Sequence, residues 1–224
     1  SGQVNDPSDQ VVRNGNTTVA VNFNTNNTGG STTYSWTNDN PSIGLGASGT
    51  GDIAAFTAVN TGTSPEVATI TVTPTFSNGG EACTGSSQNL TITVNPSAQV
   101  NDPSDQVVCN DSPTVAVNFT TNNTGGTTTY SWTNDNTTIG LAASGTGDIA
   151  AFTAINTGTS PVVATITVTP TYSNGGETCT GTSQSFTITV NPTAQVNDPS
   201  DQVVCNGSPT VSVNFTTNNT GGTT

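Results

Sequence analysis

Apolar and polar residues alternate along this chain in short runs. FTITV sets Phe186, Ile188 and Val190 on one face and Thr187 and Thr189 on the other. VATITV turns Ala164, Ile166 and Val168 inward, and TVAVNF turns Val115, Val117 and Phe119 inward. A period of two built from β-branched residues predicts half-buried antiparallel strands. Between the runs, NNTGG (122–126), ASGTGD (143–148), TGTSP (157–161) and SNGG (173–176) carry the Gly and Asn that turns require. No segment has a helical period. The pattern predicts seven strands: A around 98–108, B around 113–121, C around 128–134, a short C′ at 139–141, E around 149–156, F around 163–172 and G around 183–191. Trp132, with its counterpart Trp36, falls in the middle of strand C in TYSWTND and alternates with Tyr130, which predicts a core aromatic rather than an exposed platform for sugars.

The same pattern occurs more than once. QVNDPSDQVV begins at Gln3, Gln99 and Gln195, so the period is 99 − 3 = 96 residues, and 195 − 99 gives the same value. Residues 2–97 and 98–193 align without a gap and agree at about four positions in five. A unit of this length is too long for a solenoid repeat and suits an independently folding sandwich. The expected organisation is a first repeat over 1–97, a second over 98–193, and an incomplete third over 194–224 that holds strands A and B only. Two strands cannot bury their own apolar face. Val211, Val213 and Phe215 therefore need a partner sheet, supplied either by continuation of the chain or by a neighbouring molecule through strand complementation.

Composition narrows the function. There is no His, the Lys and Arg together number 1 (Arg13), and the formal net charge is −13. Without a basic patch, nucleic acid and anionic membrane surfaces are excluded as partners. Lacking imidazole, the chain has neither the usual general base near neutral pH nor the commonest transition-metal ligand. Lacking Lys, it has no Schiff-base chemistry and no isopeptide crosslink. No run reaches the ~20 apolar residues that a membrane-spanning helix needs, and SGQVND lacks the basic and apolar regions of a signal peptide. The chain reads as a mature or excised portion of a secreted protein, and not as an enzyme.

In order along each repeat come DQVV followed by CND or CNG, TYSWTNDN, IGLAASGTGDIAAFTA, VATITVTPT and CTGTSQSFTITVNP. Together these closely resemble the PKD-like, Ig-type repeats found in tandem in large secreted surface proteins of Bacteroidetes and related bacteria. The resemblance covers each complete repeat, and Arg13 departs from it. It implies an all-β, head-to-tail array of tandem Ig-like (PKD-like) sandwiches, an extracellular or cell-surface location, and no catalytic residues, cofactor or enzyme activity. The function it implies is a structural segment of a bacterial extracellular fibre, filament or stalk with self-contacts, or alternatively an adhesin or carbohydrate-binding module that contacts glycans.

Four cysteines, Cys83, Cys109, Cys179 and Cys205, are disulfide candidates, and none forms a CxxC pair. Cys83 and Cys179 occupy corresponding places between strands F and G, as do Cys109 and Cys205 between A and B. Strand directions put Cys109 and Cys179 at opposite ends of one sandwich. An eight-residue strand spans ~25 Å, against the ~4.4–6.8 Å between Cα atoms that a disulfide allows. Two schemes stay open beside free thiols. In a staple, the A–B cysteine of one repeat bonds the F–G cysteine of the next; alternatively, Cys109 bonds Cys179 within one repeat.

Each NDPSD segment carries a carboxylate pair, Asp102 and Asp105 in the second copy, which is a weak calcium candidate beside the plainer reading of an Asx turn before Pro103. Asp135 and Asp148 lie on other loops. The pattern Asn-X-Ser/Thr marks Asn16, Asn26, Asn89, Asn110, Asn118, Asn122, Asn136, Asn206, Asn214 and Asn218 as glycosylation candidates, although a chain this rich in Asn and Thr generates such triplets by chance.

Overall fold

The computed structural model describes residues 1–222. The first repeat contains β1 (Gln10–Arg13), β2 (Ser31–Asn38), β3 (Ser48–Thr50), β4 (Glu66–Asn78), β5 (Glu81–Thr84) and β6 (Gln88–Asn95). The second contains β7 (Gln106–Cys109), β8 (Thr127–Asn134), β9 (Ser144–Thr146), β10 (Val162–Asn174), β11 (Glu177–Thr180) and β12 (Gln184–Asn191). Each set forms a six-stranded mixed sheet, in the order β1-β6-β4-β2-β3 with β5 also on β4, and β7-β12-β10-β8-β9 with β11 also on β10. The edge strands β1 and β7 run parallel to β6 and β12, and every other pairing is antiparallel. The fold is an all-β, Ig-like sandwich in tandem copies.

The long strands β4 and β10 form because their alternation is uninterrupted. Ala68, Ile70 and Val72 are fully buried, as are Ala164, Ile166 and Val168. Pro74 and Pro170 sit inside these strands without breaking them. On one side of β4 the pairing with β6 ends at Val72 and that with β5 begins at Thr75, so Pro74 falls where no ladder bond is required of its missing N–H. Its carbonyl still accepts from Gly85 N–H at 2.9 Å.

The opposite layer is irregular. The expected strands B and E are extended segments held by isolated bridges, Thr17↔Thr57 and Val21↔Ile53 in the first repeat and Pro113↔Thr153 and Val117↔Ile149 in the second. The expected C′ strand at 139–141 is instead a 3-10 turn, Thr137–Ile139, capped by the Asn136 side chain and closed by Gly140 at φ 93°. Two strands escaped the sequence reading: β9, and β11, which folds back on β10 as a hairpin. Val115, expected inward, is 73% exposed, because the B segment is bridged only at Pro113 and Val117 and does not keep strand alternation between them. Thr114, Val117 and Phe119 take the buried places.

The core of the first repeat gathers Trp36, Ile43, Ile53, Ile70, Ile92 and their neighbours. Trp132 and Trp36 are buried as expected, each indole lying against the backbone of Gly145 or Gly49, where a Cβ would collide with the ring. Their Nε1 hydrogens have no partner among the described residues.

The chain divides into two compact units that cut across the sequence repeats. The first is Ser1–Val100 together with Thr121–Thr129 and Thr169–Thr182. The second is Asn101–Thr120, Tyr130–Val168 and Ser183 onward. Residues 194–222 contain no strand, so strands A and B expected in the third copy are not formed. The local bonds of the motif persist even so: Val211 N–H donates to Gln202 Oε1 at 3.0 Å, as Val19 does to Gln10 and Val115 to Gln106. The described residues offer the 202–205 segment no counterpart of β6 or β12 to pair with, and Val203 is 99% exposed.

Candidate functional site

The carboxylates are engaged with backbone. Asp105 Oδ1 accepts from Thr187 N–H at 2.6 Å and Asp9 from Thr91 at 2.7 Å, each joining the segment before the edge strand to the strand it pairs with. Asp135 accepts from Thr165 N–H and Asp39 from Thr69, both at 2.7 Å. Asp148 accepts from Phe119 N–H at 2.9 Å and Asp52 from Phe23 at 2.8 Å. Asp135 and Asp148, which lie on different loops, are each tied to the backbone of a different distant segment. Asp102, the other half of the calcium candidate, is exposed. Among the described residues no three His, Cys, Asp or Glu side chains gather in a way that could hold a metal ion, and no helix is long and apolar enough to cross a membrane.

Buried asparagines carry more structure than the composition suggests. Asn156 is 4% exposed; its Nδ2 donates to Val190 O at 2.7 Å and Ser160 O at 2.9 Å, and its Oδ1 accepts from Gly158 N–H at 3.0 Å. Asn60 repeats the arrangement on Val94, Ser64 and Gly62. Asn134 and Asn38 likewise hold the carbonyls of Leu141 and Ala142, and of Leu45 and Gly46. Asn156 and Asn60 thus tie the end of segment E to the neighbouring strand, and Asn134 and Asn38 tie strand C to the loop after the 3-10 turn. Alternation patterns give no sign of them, although recurrence of Asn at the same place in both repeats is a signal that could have found them.

Two glycosylation candidates are used in the same manner. Asn110 Oδ1 accepts from Asn156 N–H at 2.7 Å, and Asn136 Oδ1 caps the 3-10 turn through Thr138 N–H at 3.2 Å. Asn16, Asn26, Asn89, Asn118, Asn122, Asn206, Asn214 and Asn218 are exposed.

All four cysteines are free thiols, so the expected disulfide is absent from this structure. For a Cys109–Cys179 bond the obstacle is distance. Cys109 is level with Asn191 at one end of β12, and Cys179 is level with Tyr172 near the far end of β10. Some ten residues of strand lie between these levels, ~33 Å at the usual rise. For the staple, the position corresponding to Cys109 in the first repeat is Arg13, which offers Cys179 no sulfur.

Cys83, Cys109 and Cys205 are exposed, whereas Cys179 is buried with Ala98 and Tyr172 inside the first unit. The Tyr172 hydroxyl donates to Thr124 O at 2.9 Å, and the ring lies against Gly126, where a Cβ would meet it at 2.5 Å. In the same unit Asn95 and Asn174 bond reciprocally: Asn95 Nδ2 donates to Asn174 O, and Asn174 Nδ2 to Asn95 Oδ1, both at 2.9 Å. Arg13 Nε lies 3.6 Å from Glu177 Oε2. Burial pushes the Cys179 thiol above its ordinary value, with Arg13 opposing the shift and Glu177 adding to it. Burial, together with the nearby Cys179, raises Tyr172 as well.

One contact recurs at the repeat period. In the first unit, Thr124 N–H donates to Thr63 O at 2.9 Å, while Asn123 Nδ2 reaches Thr63 O and Ser97 O at 3.3 and 3.1 Å. In the second unit, Thr220 N–H donates to Thr159 O at 2.9 Å, while Asn219 Nδ2 reaches Thr159 O and Thr193 O at 3.5 and 3.1 Å.

No family model matches the chain, and no curated protein matches it. Among solved structures it is similar to the three N-terminal domains of the bacteriophage RB49 highly immunogenic outer capsid protein (Hoc), at 13% identity over 85% of this chain and 69% of that one, with a TM-score of 0.45. It is also similar to human CDH23 EC21-23, at 14% identity over 98% and 81% with a TM-score of 0.41. A third is human mucin-like protocadherin EC1-2, at 11% identity over 86% and 98% with a TM-score of 0.32.

Proposed function

We propose that the chain is a segment of an extracellular tandem array that acts as structural and adhesive material through its repeated surfaces, and not as a catalyst. The observation that carries this reading is the recurrence of the Thr124–Thr63 and Thr220–Thr159 contacts, atom for atom, 96 residues apart (220 − 124). A loop of each repeat is held by the repeat before it through backbone atoms and one Asn side chain. Such a contact can propagate along any number of copies, because it needs no residue that a single copy alone possesses.

The carboxylates support the same reading, since those of the loops are occupied by backbone amides and an excess of negative charge discourages collapse between arrays. We read the source as bacterial and the sequence repeats, with borders near 97 and 193, as the units by which the array is extended. A lone Arg and no Lys would leave little for trypsin-like proteases to cut. Electron microscopy of the native material tests the proposal. Filaments or stalks with an axial period of one or two repeats are expected, and isolated globules would refute it. Glycan-array binding by the same material separates an adhesive role from a purely structural one.

A further inference from the structure

The last residue of β1 faces the β11 cysteine within the first unit. Arg13 pairs with Glu177, and Glu177 and Cys179 stand two residues apart on β11, hence on the same face. The side chain of Val11 lies against Gly175, and Cα atoms of β1 and β11 approach within 8 Å. A disulfide needs about 4.4–6.8 Å between Cα atoms, a span within the reach of two strands whose Cα atoms already come within 8 Å. At the position of Arg13 the other two copies of the segment carry Cys109 and Cys205, and the β11 position is cysteine in both of its copies, Cys83 and Cys179.

We propose that the end of the edge strand and the β11 cysteine are the two halves of a thiol lock between consecutive repeats, and that the Arg13–Glu177 ion pair takes its place in the first unit. Where both halves are cysteine, the two thiols lose two protons and two electrons to a disulfide oxidant, which is reduced to two thiols, and one S–S bond forms. The partner of Cys109 is then the β11 cysteine of another copy of this repeat. The inference concerns the chemistry of the contact and holds whether the array is fibrous or adhesive.

The test installs the missing half in the full chain as R13C and equilibrates it with oxidised glutathione. We expect the intact mass to fall by about 2 Da relative to the reduced form. A non-reducing peptide map should join position 13 to Cys179, and the melting temperature should rise and return on reduction. R13C combined with C179S should show no such link. Glutathione on position 13 with Cys179 still free, or a bond from position 13 to another cysteine, overturns the lock.

Discussion

At the scale of single residues, buried amides and one buried thiol add to what the apolar core contributes. Asn156 is buried and bonds three backbone groups, among them the carbonyl of Val190 on β12. Asn156→Ala strands those groups away from water and should cost about 3 kcal/mol, read as a lower denaturation midpoint with an unchanged slope. Asn122→Ala, at an exposed position, should change stability by less than about 0.5 kcal/mol. Cys179 gives a pH signature. Burial raises its pKa above the ordinary 9.0, so the unfolded chain loses that proton first as pH rises. Its contribution is complete below about pH 8 and is lost progressively above about pH 9. Tyr172 adds to the same alkaline loss at higher pH. Thermal melts from pH 7 to 10 should show the decline, and C179S should begin its decline at higher pH.

At the scale of elements, the two layers of the sandwich obey different rules, and this decides what sequence could reveal. Strands C, F and G were legible as β8, β10 and β12 because each is long, alternating and paired on both sides or nearly so. The B and E segments carry similar alternation but meet only at isolated bridges. Their side chains therefore follow the local path of the backbone, and Val115 turns outward while Val117 turns in. Val117→Ala should destabilise the protein by about 2 kcal/mol and Val115→Ala by less than about 0.5 kcal/mol, both measured by urea titration. A regular strand B would make the two equally costly. The hairpin β10–β11 was hidden because ETCT has no apolar alternation; what defines it is a short antiparallel ladder closed by Gly175 and Gly176, which β4–β5 shares although the residues of β5 are exposed. The Asp clamps were hidden for a similar reason. A carboxylate near a turn looks alike in sequence whether it caps a backbone amide or awaits a cation, and only the position of Thr165 or Thr187 N–H tells the two apart.

At the scale of the whole molecule, the sequence repeat and the compact units do not coincide. Residues 121–129 and 169–182 belong to the second repeat by sequence and to the first unit by packing, and residues 217–222, the counterpart of 121–126, stand in a matching relation to the second unit. The 96-residue period was plain from the sequence, but the lending of loops from one repeat to the one before it was not, since the bonds of Thr124 and Thr220 are made by backbone atoms whose positions no side-chain pattern specifies. On this reading each repeat docks its loops on the one before it. Cys83 and Cys179 occupy the same place in successive repeats, one exposed and one buried, and serve as matched reporters. The direct measurement is the rate of alkylation of each thiol in the native chain, followed by mass spectrometry. Cys179 should react about tenfold or more slowly than Cys83, and the difference should vanish in denaturant. Equal rates in the native chain would show that Cys179 gains no cover from the preceding repeat.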